Sequence, residues 1–442
     1  MKNLDRKNIE NLLAKDYIRR NTQLSVFIQL INSLEGSHIL AVDGEWGSGK
    51  TVFVRQLELL CESNEVIKVA PGIEQHDIDE LRSTYTTIYY NAWENDYCDD
   101  ALQSILYNLV AKIDKTHGGL MENSRKKASS KVDISALVKN LSHDGVVMNG
   151  KTDDEKLTSG IRAFVDRKDR INKSLRSLID QSEKRILFII DELDRCSPAF
   201  AVKILETIKH HFEVDGIVFV LAINTEQLAH TVKNFYGNEF DGYGYLNNFF
   251  DFPFTLKDPD VEAFTRNYLG KPQTRDIGTK TPLEVVNFLN MKMRQIESYY
   301  KSLDLIKAYT QRQGFYDDEN IEYIVQFIFV PLALALKIKS GDGYISFVSG
   351  KNSSILDPFL SVAPDSLRLA RSVCSDKRLK ISELDESSAD DITKEFVIET
   401  YRSMFVKKKS HYAKEAYDAF KDATSIIGYY TTIEPKVAEV LK

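Results

Sequence analysis

The feature that most constrains this sequence is a glycine-rich motif, Gly-Glu-Trp-Gly-Ser-Gly-Lys-Thr, which lies between an apolar run and a segment with helical spacing. The pattern Gly-x-x-x-x-Gly-Lys-Thr, placed between a strand and a helix, predicts a phosphate-binding loop. Glycines let backbone amides turn inward around a phosphate, and the start of the next helix adds its positive dipole end. The residues predicted to bind the phosphates are Gly44, Glu45, Trp46, Gly47, Ser48, Gly49, Lys50 and Thr51.

The last two residues of the motif carry the side-chain chemistry that such a loop predicts. Lys50 is expected to reach the β- and γ-phosphates as a mobile positive charge and so to take part in catalysis. The hydroxyl of Thr51 is expected to occupy one position around a Mg²⁺ ion. A chance glycine-rich turn is the weaker interpretation, because His38–Asp43 reads as a buried strand and residues 51–62 read as a helix.

Apolar runs that alternate with helical patterns predict the fold. The predicted strands are His38–Asp43, Thr86–Tyr90, Arg185–Ile190, Gly216–Ala222 and, more weakly, Phe249–Phe254. Nearly continuous apolar strands separated by helices indicate an α/β architecture with a parallel sheet that is covered on both faces. The predicted parts, in chain order, are N-terminal helices at 1–35, a core of about five strands at 36–258 with a polar insertion at about 117–155, and a helical C-terminal region at 259–442.

Polar residues follow two of the predicted strands, at the edge where a parallel sheet binds its ligands. Asp191 is expected to hold Mg²⁺ through water, and Glu192 is the candidate general base for the attacking water. Asn224 ends the fourth strand and is a candidate sensor of the γ-phosphate with a catalytic role. Helix capping is the alternative for Asn224, since a helical pattern follows it.

Three arginines are candidates for completing the site. Arg195 is expected either to contact the nucleotide of a neighbouring subunit or to brace the active site, and the alternative is a local ion pair with Asp194 at a helix start. Arg368 or Arg371 is a candidate to reach the γ-phosphate, with a solvated helix face as the alternative. Trp93, after the second strand, is expected to pack beneath the edge of the sheet.

Composition limits the setting in which the chain acts. The 442 residues carry a net charge of -7, which disfavours indiscriminate binding to nucleic acid. The four cysteines form no Cys-x-x-Cys pair, so a reducing cytoplasm is expected. The apolar stretch Tyr323–Ile338 is short for a bilayer span and predicts a buried helix pair broken near Pro331. We expect a cytoplasmic protein without an integral span, and Lys407–Lys409 leaves peripheral membrane contact open.

Several strings in this order resemble the KAP family of P-loop NTPases over roughly residues 20–375. They are the glycine-rich motif, Asn91-Ala-Trp93, Asp191-Glu-Leu-Asp-Arg-Cys196, Val220-Leu-Ala-Ile-Asn224, Tyr245-Leu246, Phe249–Phe254 and Pro364–Arg371. The resemblance implies ATP rather than GTP. It also implies an additional-strand core, with a strand between those bearing the lysine and the acid, a place that Thr86–Tyr90 is expected to fill. Many family members look membrane-inserted where this chain has its polar insertion, so a soluble form is expected here.

The motifs together favour an ATP-hydrolysing, Mg²⁺-dependent conformational switch that acts on a macromolecular partner, a protein rather than a nucleic acid. A homo-oligomer is expected, and one form of this hypothesis is that it assembles only when ATP is bound. The resemblance makes bacterial defence against phage a reasonable setting. Two alternatives stay open at this point, namely a nucleic-acid motor or loader and a regulatory scaffold that holds nucleotide without turnover.

Overall fold

The structure, a computed structural model, describes a large part of the chain. The described residues are 5–62, 70–98, 100–116, 169, 171–173, 175–176, 179–180, 184–212, 214–270, 277–312, 321–376, 386–406, 417 and 420–421. The polar insertion predicted at about 117–155 and the basic cluster Lys407–Lys409 lie outside these residues. The chain divides into two compact units, Met1–Asp258 and Pro259–Lys442.

A parallel sheet forms the centre of the first unit. Its strands are β1 (His38–Asp43), β2 (Tyr85–Asn91), β3 (Arg185–Asp191), β4 (Ile217–Ile223) and β5 (Phe252–Thr255). All neighbouring strands pair in parallel, in the spatial order β2-β3-β4-β1-β5. β4 is buried along its whole length, as its unbroken apolar sequence requires of a central strand. The predicted five-stranded parallel sheet is therefore confirmed.

The strand order corrects one expectation. The strand between the lysine-bearing β1 and the acid-bearing β3 is β4, whereas Thr86–Tyr90 belongs to β2 at the outer edge, beside β3. The order of elements along the chain cannot reveal this, because β4 follows β3 in sequence and yet inserts between β1 and β3. The register pairs Asp43 with Ile223 and Asp191 with Ala222, so three strand ends lie side by side at one edge.

Helices cover both faces of this sheet. They are α1 (Arg6–Lys15), α2 (Asn21–Asn32), α3 (Lys50–Glu62), α4 (Gln75–Thr84), α5 (Ala101–Thr116), α6 (Pro198–His211), α7 (Thr225–Tyr236) and α8 (Gly242–Asn247). Alternate residues of β3 enter two separate apolar cores: Phe188 packs in one and Leu187 in the other. Sequence analysis missed α4, in which Ile78 and Leu81 are the buried positions and give a weak helical pattern.

The described part of the second unit is helical and contains no strand. Its helices are α9 (Val261–Ala263), α10 (Ile277–Phe288), α11 (Met293–Arg312), α12 (Ile321–Ile324), α13 (Val330–Lys339), α14 (Gly341–Val348), α15 (Leu356–Val362), α16 (Pro364–Asp376) and α17 (Glu386–Val406). An aromatic group formed by Phe329, Phe347 and Tyr401 lies in its core, with ring centroids 4.9–6.5 Å apart. Large interlocking rings of this kind stabilise a helical core.

The apolar stretch around Pro331 is buried, but the predicted break does not occur. α12 continues through a π-helical turn, Val325–Phe329, directly into α13. Proline lacks an amide hydrogen, and its ring collides with the carbonyl four residues earlier, so a regular α-helix cannot pass through it unchanged. The wider turn just before Pro331 accommodates the ring and keeps the helix continuous. No helix among the described ranges has the length and apolar character needed to cross a bilayer.

Candidate nucleotide site

The glycine-rich loop joins β1 to α3 at the carboxyl edge of the sheet. The amide of Gly44 donates to Ile223 O at 3.2 Å, which anchors the start of the loop to β4. Gly47 and Gly49 have φ angles of 83° and 95°, a left-handed backbone that side chains disfavour. A Cβ on Gly44 would lie 2.7 Å from Ser48 Oγ, so a side chain there would require this hydroxyl to move. The path of the backbone therefore favours glycine most strongly at Gly47 and Gly49.

The side chain of Lys50 is buried at the mouth of the loop. Its Nζ donates to Gly44 O at 2.6 Å and to Glu45 O at 3.3 Å. It also lies 4.0 Å from Asp194 Oδ2. Burial lowers the pKa of the Lys50 ammonium, while Asp194 and Asp191 oppose this shift by favouring the charged form. The loop thus holds a buried cation whose charge is offset by carboxylates from the end of β3 and the turn that follows it.

The carboxylate of Asp191 lies at the end of β3, with 1% of the residue exposed. Its Oδ2 accepts a hydrogen bond from the Tyr89 hydroxyl at 2.9 Å, and Thr51 makes a further hydrogen bond to the same carboxylate. Burial raises the pKa of Asp191, and these hydrogen bonds oppose the rise. The Arg55 guanidinium lies over the Tyr89 ring, 4.1 Å from its centroid. Sequence analysis missed Tyr89, because the strand pattern does not show which of the two adjacent tyrosines, Tyr89 or Tyr90, reaches Asp191.

These groups suit a magnesium–phosphate ligand. The Thr51 hydroxyl and the Asp191 carboxylate are the hard oxygen donors that Mg²⁺ prefers, and they lie next to each other. Ser48 Oγ is buried in the loop without a hydrogen-bond partner from the protein. Across the described residues, no three His, Cys, Asp or Glu side chains cluster as metal ligands. Mg²⁺ bound together with phosphates needs only one or two carboxylates, so the site fits this ion.

Glu192 follows Asp191 in a left-handed conformation, with φ of 61°. Its side chain is 16% exposed, and its Oε1 lies 3.2 Å from Arg195 Nη1. Arg195 therefore makes a local ion pair, as in the alternative interpretation, but its partner is Glu192 rather than Asp194, because the short turn Leu193–Arg195 directs the guanidinium back toward Glu192. Arg195 is thus the predicted arginine that the structure places beside the acidic strand end.

Asp194 is a site residue whose contacts sequence analysis missed. Its Oδ2 accepts from Trp46 Nε1 at 2.8 Å and from the Asn224 amide at 3.2 Å, and it also faces Lys50. The Trp46 contact joins residues 148 positions apart in the chain. The available signal was the second aspartate of the string Asp-Glu-Leu-Asp, three residues after Asp191. One buried carboxylate therefore connects the glycine-rich loop to the ends of β3 and β4.

Asn224 lies at this edge but directs its side chain into the following helix. Its Oδ1 accepts from the Gln227 amide at 3.2 Å and caps the N-terminus of α7. The helix-capping alternative is therefore observed, and the backbone amide of Asn224 contributes the contact with Asp194. The sensor role of Asn224 stays a prediction.

The other two candidate arginines belong to the second unit and have acidic neighbours there. Arg368 Nη1 lies 3.2 Å from Asp365 Oδ1 within α16. Arg371 Nη2 pairs with Asp390 of α17. A role for either arginine at the γ-phosphate stays a prediction.

Trp93 does not pack beneath the sheet edge as expected. It is 54% exposed, and the Arg195 guanidinium lies 5.9 Å from its ring centroid. The chain turns outward after β2, where Asn91 Oδ1 accepts from the Glu94 amide at 3.3 Å. Trp46 is 51% exposed, so both tryptophans of the chain reach the surface near the acidic turn.

Comparison with known proteins agrees with this geometry. The family model described as KAP family P-loop domain matches residues 20–310. The Phage T7 exclusion protein of Escherichia coli (strain K12) is 22% identical over 241 residues, which are 52% of this chain and 31% of that protein. The chain therefore spans about a third of the length of this curated relative.

Two solved structures resemble the chain more distantly. One is Drosophila ORC bound to GC-rich DNA and Cdc6, with a TM-score of 0.34 at 11% identity, covering 96% of this chain and 63% of the other. A second, Drosophila ORC bound to poly(dA/dT) DNA and Cdc6, has a TM-score of 0.31 at 12% identity, covering 95% and 71%. Scores this low carry no argument about the present chain. Because the family model covers more than half of the sequence, the resemblance predicted from the motifs is confirmed and the chain belongs to the KAP family of P-loop NTPases.

Proposed function

We propose that the chain binds Mg²⁺-ATP at the carboxyl edge of its sheet and hydrolyses it. The observation that carries this proposal is the convergence of the glycine-rich loop and the acidic strand end on one another. Asp194 Oδ2 lies 2.8 Å from Trp46 Nε1 and 4.0 Å from Lys50 Nζ, although the loop and the acid are far apart in the chain. A lysine loop and buried carboxylates at adjoining strand ends are what phosphoryl transfer to water requires.

The loop supplies the phosphate contacts in this proposal. Lys50 donates to Gly44 O and Glu45 O, and charged phosphate oxygens are stronger acceptors for an ammonium group than neutral carbonyl oxygens. The left-handed Gly47 and Gly49 allow the backbone to curve, so that its amides can point toward an anion. The N-terminus of α3 adds a favourable dipole for negative charge.

Thr51 and Asp191 would hold Mg²⁺, which neutralises charge on the phosphate oxygens during transfer. A bound cation favours the ionised form of Asp191 and so opposes the effect of burial on its pKa. The Tyr89 hydroxyl holds the orientation of this carboxylate by its hydrogen bond to Oδ2. A fixed outer partner of this kind tunes the affinity of a metal ligand.

Glu192 is the proposed general base, and a carboxylate oxygen of Glu192 takes the proton of the attacking water. The ion pair with Arg195 restrains the side chain of Glu192. The presence of this candidate base favours turnover over a scaffold that only holds nucleotide, because such a scaffold needs no base.

We further propose that hydrolysis drives a switch that acts on a macromolecular partner. Binding and loss of the γ-phosphate change the charge that faces Asp194, whose contacts connect the loop to β4. The printed name of the Phage T7 exclusion protein supports phage exclusion as the setting, although this chain spans 31% of that relative.

The first experiment measures ATP binding and phosphate release by the purified full chain with Mg²⁺. Wild type should bind and turn over ATP, and Lys50→Ala should weaken binding about 100-fold, because a charge-assisted contact is worth about 1.5–3 kcal/mol. Lys351→Ala, an exposed lysine in the second unit, is the matched control and should behave as wild type.

The result would also separate the competing functions. ATP binding without phosphate release would favour the nucleotide-holding scaffold. Release that rises with added DNA or RNA at low salt would favour the motor or loader. Failure of the wild-type chain to bind ATP would refute the proposal altogether. Mass measurement with and without ATP tests the expected homo-oligomer, and a monomer in both conditions contradicts it.

A further inference from the structure

A buried arginine outside the known motifs contacts the glycine-rich loop. Arg20 lies at the start of α2 and is 4% exposed. One guanidinium nitrogen, Nη1, donates to Ser48 O in the middle of the loop. The other, Nη2, donates to Lys257 O at 2.7 Å, just after β5. A single side chain therefore joins the N-terminal segment, the loop and the end of the first unit.

The backbone that carries Arg20 is itself held in place. Asp16 Oδ1 accepts from the amides of Arg20 at 2.6 Å and Asn21 at 3.1 Å. Burial lowers the pKa of Arg20 to about 10, while Asp258 and Asp16 favour its charged form. At neutral pH this side chain is therefore still a cation. Burying a charge is costly unless it is hydrogen-bonded, and two carbonyl groups accept from this guanidinium.

The contact with Ser48 O has a consequence for the other side of the same peptide unit. In a trans peptide the C=O and the following N–H point in opposite directions, and the described residues contain no cis peptide. Because the carbonyl of Ser48 points toward Arg20, the amide of Gly49 points away from Arg20. A charged donor on the carbonyl also polarises the peptide and makes that amide a stronger donor.

We propose that Arg20 is a positioning residue for phosphate binding, which fixes the Ser48–Gly49 peptide so that the Gly49 amide serves as an anion donor. This inference rests on the proposed function, since it assumes that the loop binds phosphates. The ligand chemistry that the amide recognises is a polyphosphate oxygen. The second contact, with Lys257 O, holds the guanidinium at the angle that the first contact needs.

Arg20→Met and Arg20→Lys test this proposal in the full chain. Arg20→Met keeps the length of the side chain but removes both donors, so Mg²⁺-ATP and Mg²⁺-pyrophosphate should each bind about 10-fold more weakly by calorimetry, as expected for a lost charge-assisted contact. Arg20→Lys keeps the charge but lacks the planar fork, and it should lie between Arg20→Met and wild type. Arg19→Met is the matched control, because Arg19 is the adjacent arginine and is exposed.

A purely structural role predicts a different result. If Arg20 only anchored α2, Arg20→Met would lower the melting temperature of the free protein, but Mg²⁺-pyrophosphate would still raise that temperature as much as it does in wild type. Under the proposal, the rise caused by Mg²⁺-pyrophosphate shrinks in Arg20→Met and stays complete in Arg19→Met. Wild-type affinity of Arg20→Met for both ligands would overturn the inference.

Hydrogen exchange of the wild-type chain tests the inference even if Arg20→Met does not fold. Mg²⁺-pyrophosphate should slow exchange of the Gly49 amide, and an unchanged rate in a chain shown to bind the ligand would overturn the role of that peptide. Should the wild-type chain bind neither Mg²⁺-ATP nor Mg²⁺-pyrophosphate, the proposed function fails instead. The two failures are therefore distinguishable.

Discussion

The two units of the molecule bury different kinds of polar side chain. Within the described residues, every fully buried charged side chain belongs to the first unit: Arg20, Lys50, Asp191 and Asp194. All of them contact or adjoin the glycine-rich loop or the strand ends beside it. The buried polar side chains described in the second unit are hydroxyl groups, namely Thr265, Thr281, Ser366, Thr393 and Thr400.

Buried charges and buried hydroxyls differ in the free energy that is lost when each group is removed from water. Thr393 Oγ1 donates to Ala389 O at 2.7 Å, and Thr400 Oγ1 donates to Phe396 O at the same distance, so each hydroxyl is satisfied within its own helix. A buried charge loses much more hydration and needs several partners. Stability alone therefore does not account for the buried charges of the first unit, to which the proposed function assigns a chemical role, whereas Thr393 and Thr400 require no such explanation.

Of the substitutions that test this difference between the units, replacing the carboxylate at the end of β3 should reduce ATP turnover most. Asp191→Asn removes the charge proposed to hold Mg²⁺, and we expect ATP turnover to fall about 1,000-fold, equivalent to about 4 kcal/mol. Steady-state phosphate release measures this loss. Asp251→Asn is the control, because Asp251 accepts from the Ile39 amide at the opposite end of β1. Equal losses in both variants would show that turnover follows the fold rather than the site.

Asp194→Asn should have the next largest effect. The asparagine side chain keeps the shape of the carboxylate but removes its negative charge. In the wild-type chain this carboxylate faces Lys50 and accepts a hydrogen bond from Trp46. Because charge-assisted hydrogen bonds are worth about 1.5–3 kcal/mol, turnover should drop about 10- to 100-fold. Tryptophan fluorescence should also shift, since Trp46 loses a charged partner. Asp241→Asn is the control and should leave turnover unchanged, because asparagine still caps α8. If Asp194→Asn turned over ATP at the wild-type rate, Asp194 would have no role in the site.

Tyr89→Phe tests the shell around Asp191 with a smaller expected effect. The ring and its contact with Arg55 remain, and the hydrogen bond to Asp191 is lost. The Mg²⁺ concentration for half-maximal turnover should rise about 10-fold, the lower end for loss of an outer-shell partner of a metal ligand. Tyr90→Phe is the matched control, since the Tyr90 hydroxyl pairs with Ser104 Oγ instead. Identical Mg²⁺ titrations of the two variants would rule out this role for Tyr89.

The smallest effect should come from the second unit. Thr393→Val removes a buried hydroxyl but keeps the shape of the side chain, and the hydroxyl's acceptor is a carbonyl of its own helix. We expect the free energy of unfolding to change by less than about 1 kcal/mol and turnover to stay at the wild-type level. Urea denaturation and phosphate release measure the two quantities. A large loss of turnover with unchanged stability would give the second unit a chemical role that its buried groups do not suggest.

The sequence patterns predicted those elements that depend on residues close together in the chain. The continuous apolar runs gave four strands nearly to the residue, because a strand buried on both faces has few polar positions. The glycine motif was recognisable because one of its defining positions, Gly49, has a left-handed backbone that favours glycine. The acids Asp191 and Glu192 could be assigned to the same edge of the sheet for a similar reason, since parallel strands end together. Their catalytic roles stay predictions.

Contacts between distant segments were not predictable from such patterns. Arg19 and Arg20 are identical neighbours in the sequence, and only the folded chain shows that one is exposed and the other holds the loop. The same limit explains the misplaced β2 strand, which depends on which strands lie side by side. It also explains the missed Tyr89, whose hydroxyl contact with Asp191 the strand pattern does not show. The exposure of Trp93 follows from a turn after β2 that apolar periodicity does not describe.

The left-handed backbone at Glu192 has a consequence for any selection of more thermostable variants of this protein. At φ of 61° a glutamate costs about 1–2 kcal/mol relative to a relaxed backbone, whereas glycine adopts this conformation freely. Glu192→Gly should therefore melt at a higher temperature than the wild-type chain while losing hydrolysis. A screen for heat resistance alone would enrich variants that no longer hydrolyse ATP. A screen that also selects for ATP hydrolysis would retain Glu192.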